Sequence, residues 1–217
     1  MSEILIKVRG SHSVEVPPER GVVHAEVTFD GPAPEPVMEL LRHGVQQVRD
    51  ELARLDHEGA VDRFVVQRAR TSAERPWHKD GKQLPLVHRG AVGLWVEFTD
   101  FDELAVWIGR SAAGEGLTVS GVSWQLTKES RLKAEREVRQ EAVRQAKVRA
   151  QDYADALDLG PVSVRSINDV GVSRERPLAM QASAPVADMA YSAPELAFDP
   201  DDITIYAEVE AEFTAGS

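Results

Sequence analysis

The 217-residue chain contains no cysteine, which removes disulfides, thiolate zinc sites and a cysteine nucleophile together. It has no apolar run near the roughly 18 residues that a membrane-crossing helix needs, so no membrane span is expected. Positive charge is scarce as well: 25 Lys and Arg stand against 36 Asp and Glu, a net charge of −11. A field of that sign repels phosphate backbones, so nucleic acid is not an expected partner. Also missing are a G-x-S-x-G elbow, a G-x-x-x-x-G-K-[ST] loop and a G-x-G-x-x-G turn, the commonest marks of serine hydrolysis, nucleotide hydrolysis and dinucleotide binding. The six histidines, His12, His24, His43, His57, His78 and His88, form no i,i+4 pair and no H-E-x-x-H pattern. No catalytic residue, metal ligand or cofactor follows from such a pattern. The start, "MSEILIKVRGSHSVEV", alternates like a strand and lacks the apolar core of a signal peptide, so a cytoplasmic location is expected.

What is present suits a globular fold. Hydrophobic residues make up 42% and charged residues 28%, and a chain of this length buries roughly 70% of its unfolded surface. One domain over 1–217 is expected, with opening strands in 1–30, a core in 31–127, and a long helix, a strand, a loop at 171–202 and a terminal strand after that. "ILIKVRG" and "HSVEV" read as an interrupted edge strand. "GVVHAEVTF" alternates with Val23, Ala25, Val27 and Phe29 on one face. The Pro-rich "DGPAPEP" opens a helix whose apolar positions Val37, Leu41, Val45, Val48, Leu52 and Leu55 recur every three or four residues before Gly59. "VDRFVVQRARTS" reads as one strand, and a second puts Val92, Leu94, Val96 and Phe98 on one face. Asp100 is placed to cap a helix that turns Phe101, Leu104, Ala105, Ile108 and Ala112 inward. "LTVSGVSWQL" closes the series. The order strand–helix–strand–strand–helix–strand predicts an α+β protein with a ferredoxin-like βαββαβ core and a mainly antiparallel sheet, extended by a third helix and two further strands.

The third helix, about 129–158, carries eight basic and five acidic residues between Lys128 and Asp152. Glu129–Lys133, Glu135–Arg139 and Glu141–Arg144 are spaced to pair along its surface. Ala134, Val138, Ala142, Ala146, Ala150, Ala154 and Leu157, with Tyr153 beside them, form a winding small-residue edge for burial. Its charges are therefore read as a solvated face. The last strand alternates Ile203, Ile205, Ala207, Val209, Ala211 and Phe213 with Thr204, Tyr206, Glu208, Glu210 and Glu212, one face buried and the other wet.

Three stretches together resemble one known family. They are the opening "GSHSVEVPPERGVVHAEVTF", the pair "AVGLWVEFTDFDELAVWI" and "VSGVSW", and the Ala-punctuated helix closing on "YADALDLGPVSVRSIND". A Pro, Ala and Met-rich insertion precedes the final strand. In order and spacing these are similar to the SIMPL domain, also called domain of unknown function 541, over almost the whole chain. The resemblance implies no catalytic residues. It implies self-association into ring-like assemblies and a link to oxidative or envelope stress, although most bacterial relatives carry an export signal that this chain lacks.

Two hypotheses follow. The first is a non-catalytic homo-oligomer that acts through protein partners, with contacts expected at Trp77, Met180, Met189, Tyr191, Leu196 and Phe198. Trp77, beside the Asp80-Gly81 turn, either folds back over the sheet or is offered to a partner. The loop that holds the other five either lies on the surface or orders against a neighbouring subunit. The second is a small-molecule binder or enzyme with a pocket under the 171–200 loop, built from Tyr191, Arg174, Arg176 and His78.

Overall fold

A computed structural model describes residues 3–77, 83–173 and 199–216. Its elements are β1 (Ile4–Val16), β2 (Arg20–Gly31), α1 (Pro34–His57), β3 (Val61–Val66), β4 (Arg70–Glu74), β5 (Val87–Phe98), α2 (Phe101–Ala113), β6 (Leu117–Gln125), α3 (Lys128–Ala156), β7 (Ser163–Ser173) and β8 (Ile203–Ala215). They gather into two compact units, one holding β1, α3, β7 and β8, the other β2 to β6 with α1 and α2.

The second of these units contains the expected βαββαβ core. Its strands run β3-β5-β2-β6, all antiparallel, and β4 pairs with β5 beyond β3. That order places the two crossover helices on one face. Leu41, Val48, Leu52 and Leu55 of α1 and Leu104 and Trp107 of α2 share one buried cluster with Val23, Val27, Leu94, Val96 and Phe98. The Phe98 and Trp107 rings lie 5.7 Å apart. Asp100 caps α2 as its sequence position predicts, its carboxylate accepting the Asp102 amide at 2.9 Å and the Glu103 amide at 3.0 Å. One expected strand divides in two: residues 61–72 do not run on unbroken, because 67–69 bulge opposite Gly93. There the Gln67 amide donates to the Gly93 carbonyl at 2.9 Å, and the Gln67 carboxamide fills the space a β-carbon on Gly93 would need.

The other unit is a three-stranded antiparallel sheet, β1-β8-β7, with α3 packed on β1 and β8. β1 is continuous across Gly10-Ser11, where the sequence suggested a break, and pairs with β8 along its full length from Ile4↔Ala215 to Val16↔Ile203. β8 buries every second residue, as its alternation predicts. The α3 seam is buried at Ala134, Val138, Ala142, Ala146, Ala150 and Ala154. It stops there. Leu157, past the helix end at Ala156, and Tyr153, expected on or beside the seam, are exposed, while Ala154 between them is fully buried. On the outer surface two of the three expected pairs form, Glu135–Arg139 at 3.9 Å and Glu141–Arg144 at 2.8 Å.

Candidate functional site

The expected contact residues divide sharply. Trp77 is 84% exposed, so it does not fold back over the sheet. Met180, Met189, Tyr191, Leu196 and Phe198 lie outside the described residues, as do Arg174, Arg176 and His78.

Ionisable side chains are engaged in ion pairs, some one with one and some shared: Arg9 reaches both Glu208 and Glu210, at 3.4 and 2.7 Å, and Arg20 both Asp62 and Glu97, at 3.8 and 3.4 Å. Arg89 grips Asp30 through two hydrogen bonds of 2.7 and 2.9 Å, and this holds the Asp30 carboxyl below the usual carboxylate range while raising Arg89. Hydrogen bonds from Arg144, and then from Gln145, lower Glu141. Lys7, 2.6 Å from Glu212, lowers that carboxyl in the same way. Each of these shifts favours the charged form. A general acid needs the opposite, a carboxyl raised toward neutral pH. His24 and Glu26, neighbours on one strand face, do not join in a metal site: Glu26 pairs with Arg70 at 2.6 Å. Among the described residues no group of three His, Asp or Glu is placed to hold a metal ion.

Several grooves among the described residues are large enough for a small ligand; one of about 620 Å³ runs along α2 and β6, and another is more apolar. It lies between α1 and the β3–β4 bulge, about 530 Å³ in volume, with Leu41, Val45, Val66 and Val92 at its base and Arg42 and Arg49 on its rim. Its polar lining is Glu39, Arg42, Gln46, Arg49 and Gln67.

A different feature stands out at β7. It is the last strand of its sheet. Val164 and Ile167 stand opposite Phe213 and Ala211 of β8, both buried beneath α3, so they belong to the covered face. The cover does not reach them, because α3 lies over β1 and β8 and barely touches β7. Val164 is 60%, Ile167 50% and Val170 55% exposed. A single scattered apolar residue is ordinary; three close together on a strand whose outer edge is open among the described residues make a contact surface in want of an occupant. The sequence marks this place only indirectly. Aliphatic residues three apart break the two-residue alternation of a half-buried strand; the register shift between Val164 and Ser166 brings Val164 and Ile167 to one side, and Val170 falls within a second shift, between Asp169 and Gly171.

No curated protein matches this chain. One family model, described as SIMPL, a protein of unknown function (DUF541), matches residues 6–213. That span takes in every complete element from β2 to β7 and nearly all of β1 and β8, and the chain therefore belongs to the SIMPL family.

Proposed function

We propose that this SIMPL-family protein works through protein–protein contacts rather than chemistry of its own, and that it self-associates. The observation that supports this most is the open β7 strand, which presents Val164, Ile167 and Val170 to solvent along a row of unpaired backbone groups. Covering it removes apolar surface from water at about 25 cal/mol per Å², while the second strand supplies the missing hydrogen bonds. The ion pairs that hold Asp30, Glu141 and Glu212 in the charged form support the non-catalytic half of the reading. A part in stress tolerance, on the family likeness alone, and a cytoplasmic location go with this proposal.

Sedimentation velocity over a range of concentrations tests the proposal. The expected result is a species heavier than the 23.9 kDa chain that gains population with concentration. A single 23.9 kDa species at every concentration overturns it.

A further inference from the structure

We propose that β7 pairs antiparallel with β7 of a second copy, about a twofold axis that passes through Ile167. The inference rests on the self-association reading and adds to it the surface, the direction and the register.

The order of residues in β7 carries the argument. About Ile167 the strand is self-complementary: Ser166 mirrors Asn168, Arg165 mirrors Asp169, and Val164 mirrors Val170. In an antiparallel pair centred there, Ile167 faces its own copy and each valine faces a valine. Arg165 of each strand meets Asp169 of the other, so a twofold axis makes that opposite-charge contact twice. Neighbouring registers lose this. Moving the axis to Asn168 sets Arg165 against Gly171 and Asp169 against Ile167, and moving it to Ser166 sets Arg165 against Ile167. Only one register pairs both charges while stacking the exposed aliphatic residues.

Three structural facts agree. Among the described residues no strand occupies the outer side of β7. Arg165 forms no salt bridge there, its charge acting on Glu212 only from a distance, and the Asp169 carboxylate accepts the Gly171 amide at 2.8 Å, which leaves an oxygen for a partner. The run Ser166 to Asp169 lies between the two register shifts and is itself regular, so the centre of the proposed pairing is straight strand. The sheet's other edge, β1, carries Lys7 and Arg9; β7 has neither Lys nor Pro, and its two register shifts, which can also blunt an edge, flank the proposed centre.

The absence of cysteine makes the test direct. Opposed residues of an antiparallel pair have Cα atoms about 4.5–5.5 Å apart, within the roughly 4.4–6.8 Å that a disulfide spans. Ile167→Cys should therefore give a covalent dimer under mild oxidation. Ser163→Cys should not, because four residues off the axis its sulfur lies about 26 Å from its counterpart along the strands. Arg165→Asp and Asp169→Arg should each weaken dimerisation about tenfold or more by setting like charges opposite one another, and the double variant should restore it. Circular dichroism checks that these exposed substitutions leave the fold intact. If the protein associates but Ile167→Cys does not cross-link and the reversals change nothing, the β7 pairing is wrong and self-association stands on another surface. If the unmodified protein is monomeric, both readings fall.

Discussion

Gly10 of β1 lies directly beneath the backbone of α3 at Ala146. A β-carbon at position 10 would come within 2.7 Å of the Ala146 methyl and nearer still to the Ala142 carbonyl oxygen. The alanine seam and this glycine together let the helix axis approach the sheet. In an ordinary strand, Gly→Ala stabilises by roughly 0.5–1 kcal/mol. Here the sign should reverse. Gly10→Ala is expected to cost about 3 kcal/mol by overpacking, and Ala146→Leu as much or more. Urea unfolding measures both, and a neutral or stabilised Gly10→Ala would refute the close approach.

The cap on α2 gives a milder prediction. Asp100→Ala leaves the Asp102 and Glu103 amides without their acceptor and should cost about 1 kcal/mol. Asp100→Asn, which keeps an oxygen in the same place, should recover most of it. Equal losses in the two variants would show that the carboxylate acts otherwise than as a hydrogen-bond acceptor.

Acid should weaken the fold through Asp30, Glu141 and Glu212. Their pKa values are lowered in the folded state by Arg89, Arg144 and Lys7 in turn. A carboxyl lowered on folding contributes stability above its unfolded pKa of about 4 and loses it as pH falls through the lower folded value. The thermal midpoint should therefore decline below about pH 4, by a modest amount that salt reduces further, since these pairs are at the surface. The variant with Asp30→Asn, Glu141→Gln and Glu212→Gln should show a shallower decline. An identical acid profile would remove these pairs from the account.

The charged helix should not grip polyanions. Its excess is three positive charges across Lys128 to Asp152 in a chain of net charge −11, and Glu135 and Glu141 occupy two of its arginines. Electrophoretic shift with duplex DNA at low salt should show no complex. A complex that salt dissolves would mean the α3 cations act together after all.

Local pattern carried much of the architecture. The α1 stripe, the α3 seam from Ala134 to Ala154 and the strict alternation of β8 each follow from one period and one buried face. What failed was set by partners distant in sequence. Gly10 looked like a strand breaker because its reason, the backbone of α3, lies more than a hundred residues away. The division of 61–72 into β3 and β4 depends on Gly93 across the sheet. Leu157 continues the helical spacing past the residue where the helix ends, and Tyr153 is exposed beside the buried Ala154. Val164, Ile167 and Val170 read as unremarkable strand, since edge position is a property of sheet order and no local window contains it. Trp77 was singled out from its turn, and its exposure agrees with one of the two placements weighed.

The pairing of β1 with β8 makes the order of synthesis matter. β2 to β6 with their two helices are contiguous in the chain and can close on one another as soon as they have emerged. The β1 strand, earliest of these elements, has α3 to pack on but no strand to pair with until β8, the last of them, has left the ribosome. Until then the alanine seam has only half a floor, and the loop to be closed is almost the whole polypeptide. Loss of the final thirteen-residue strand should therefore leave one compact unit standing and the other undone.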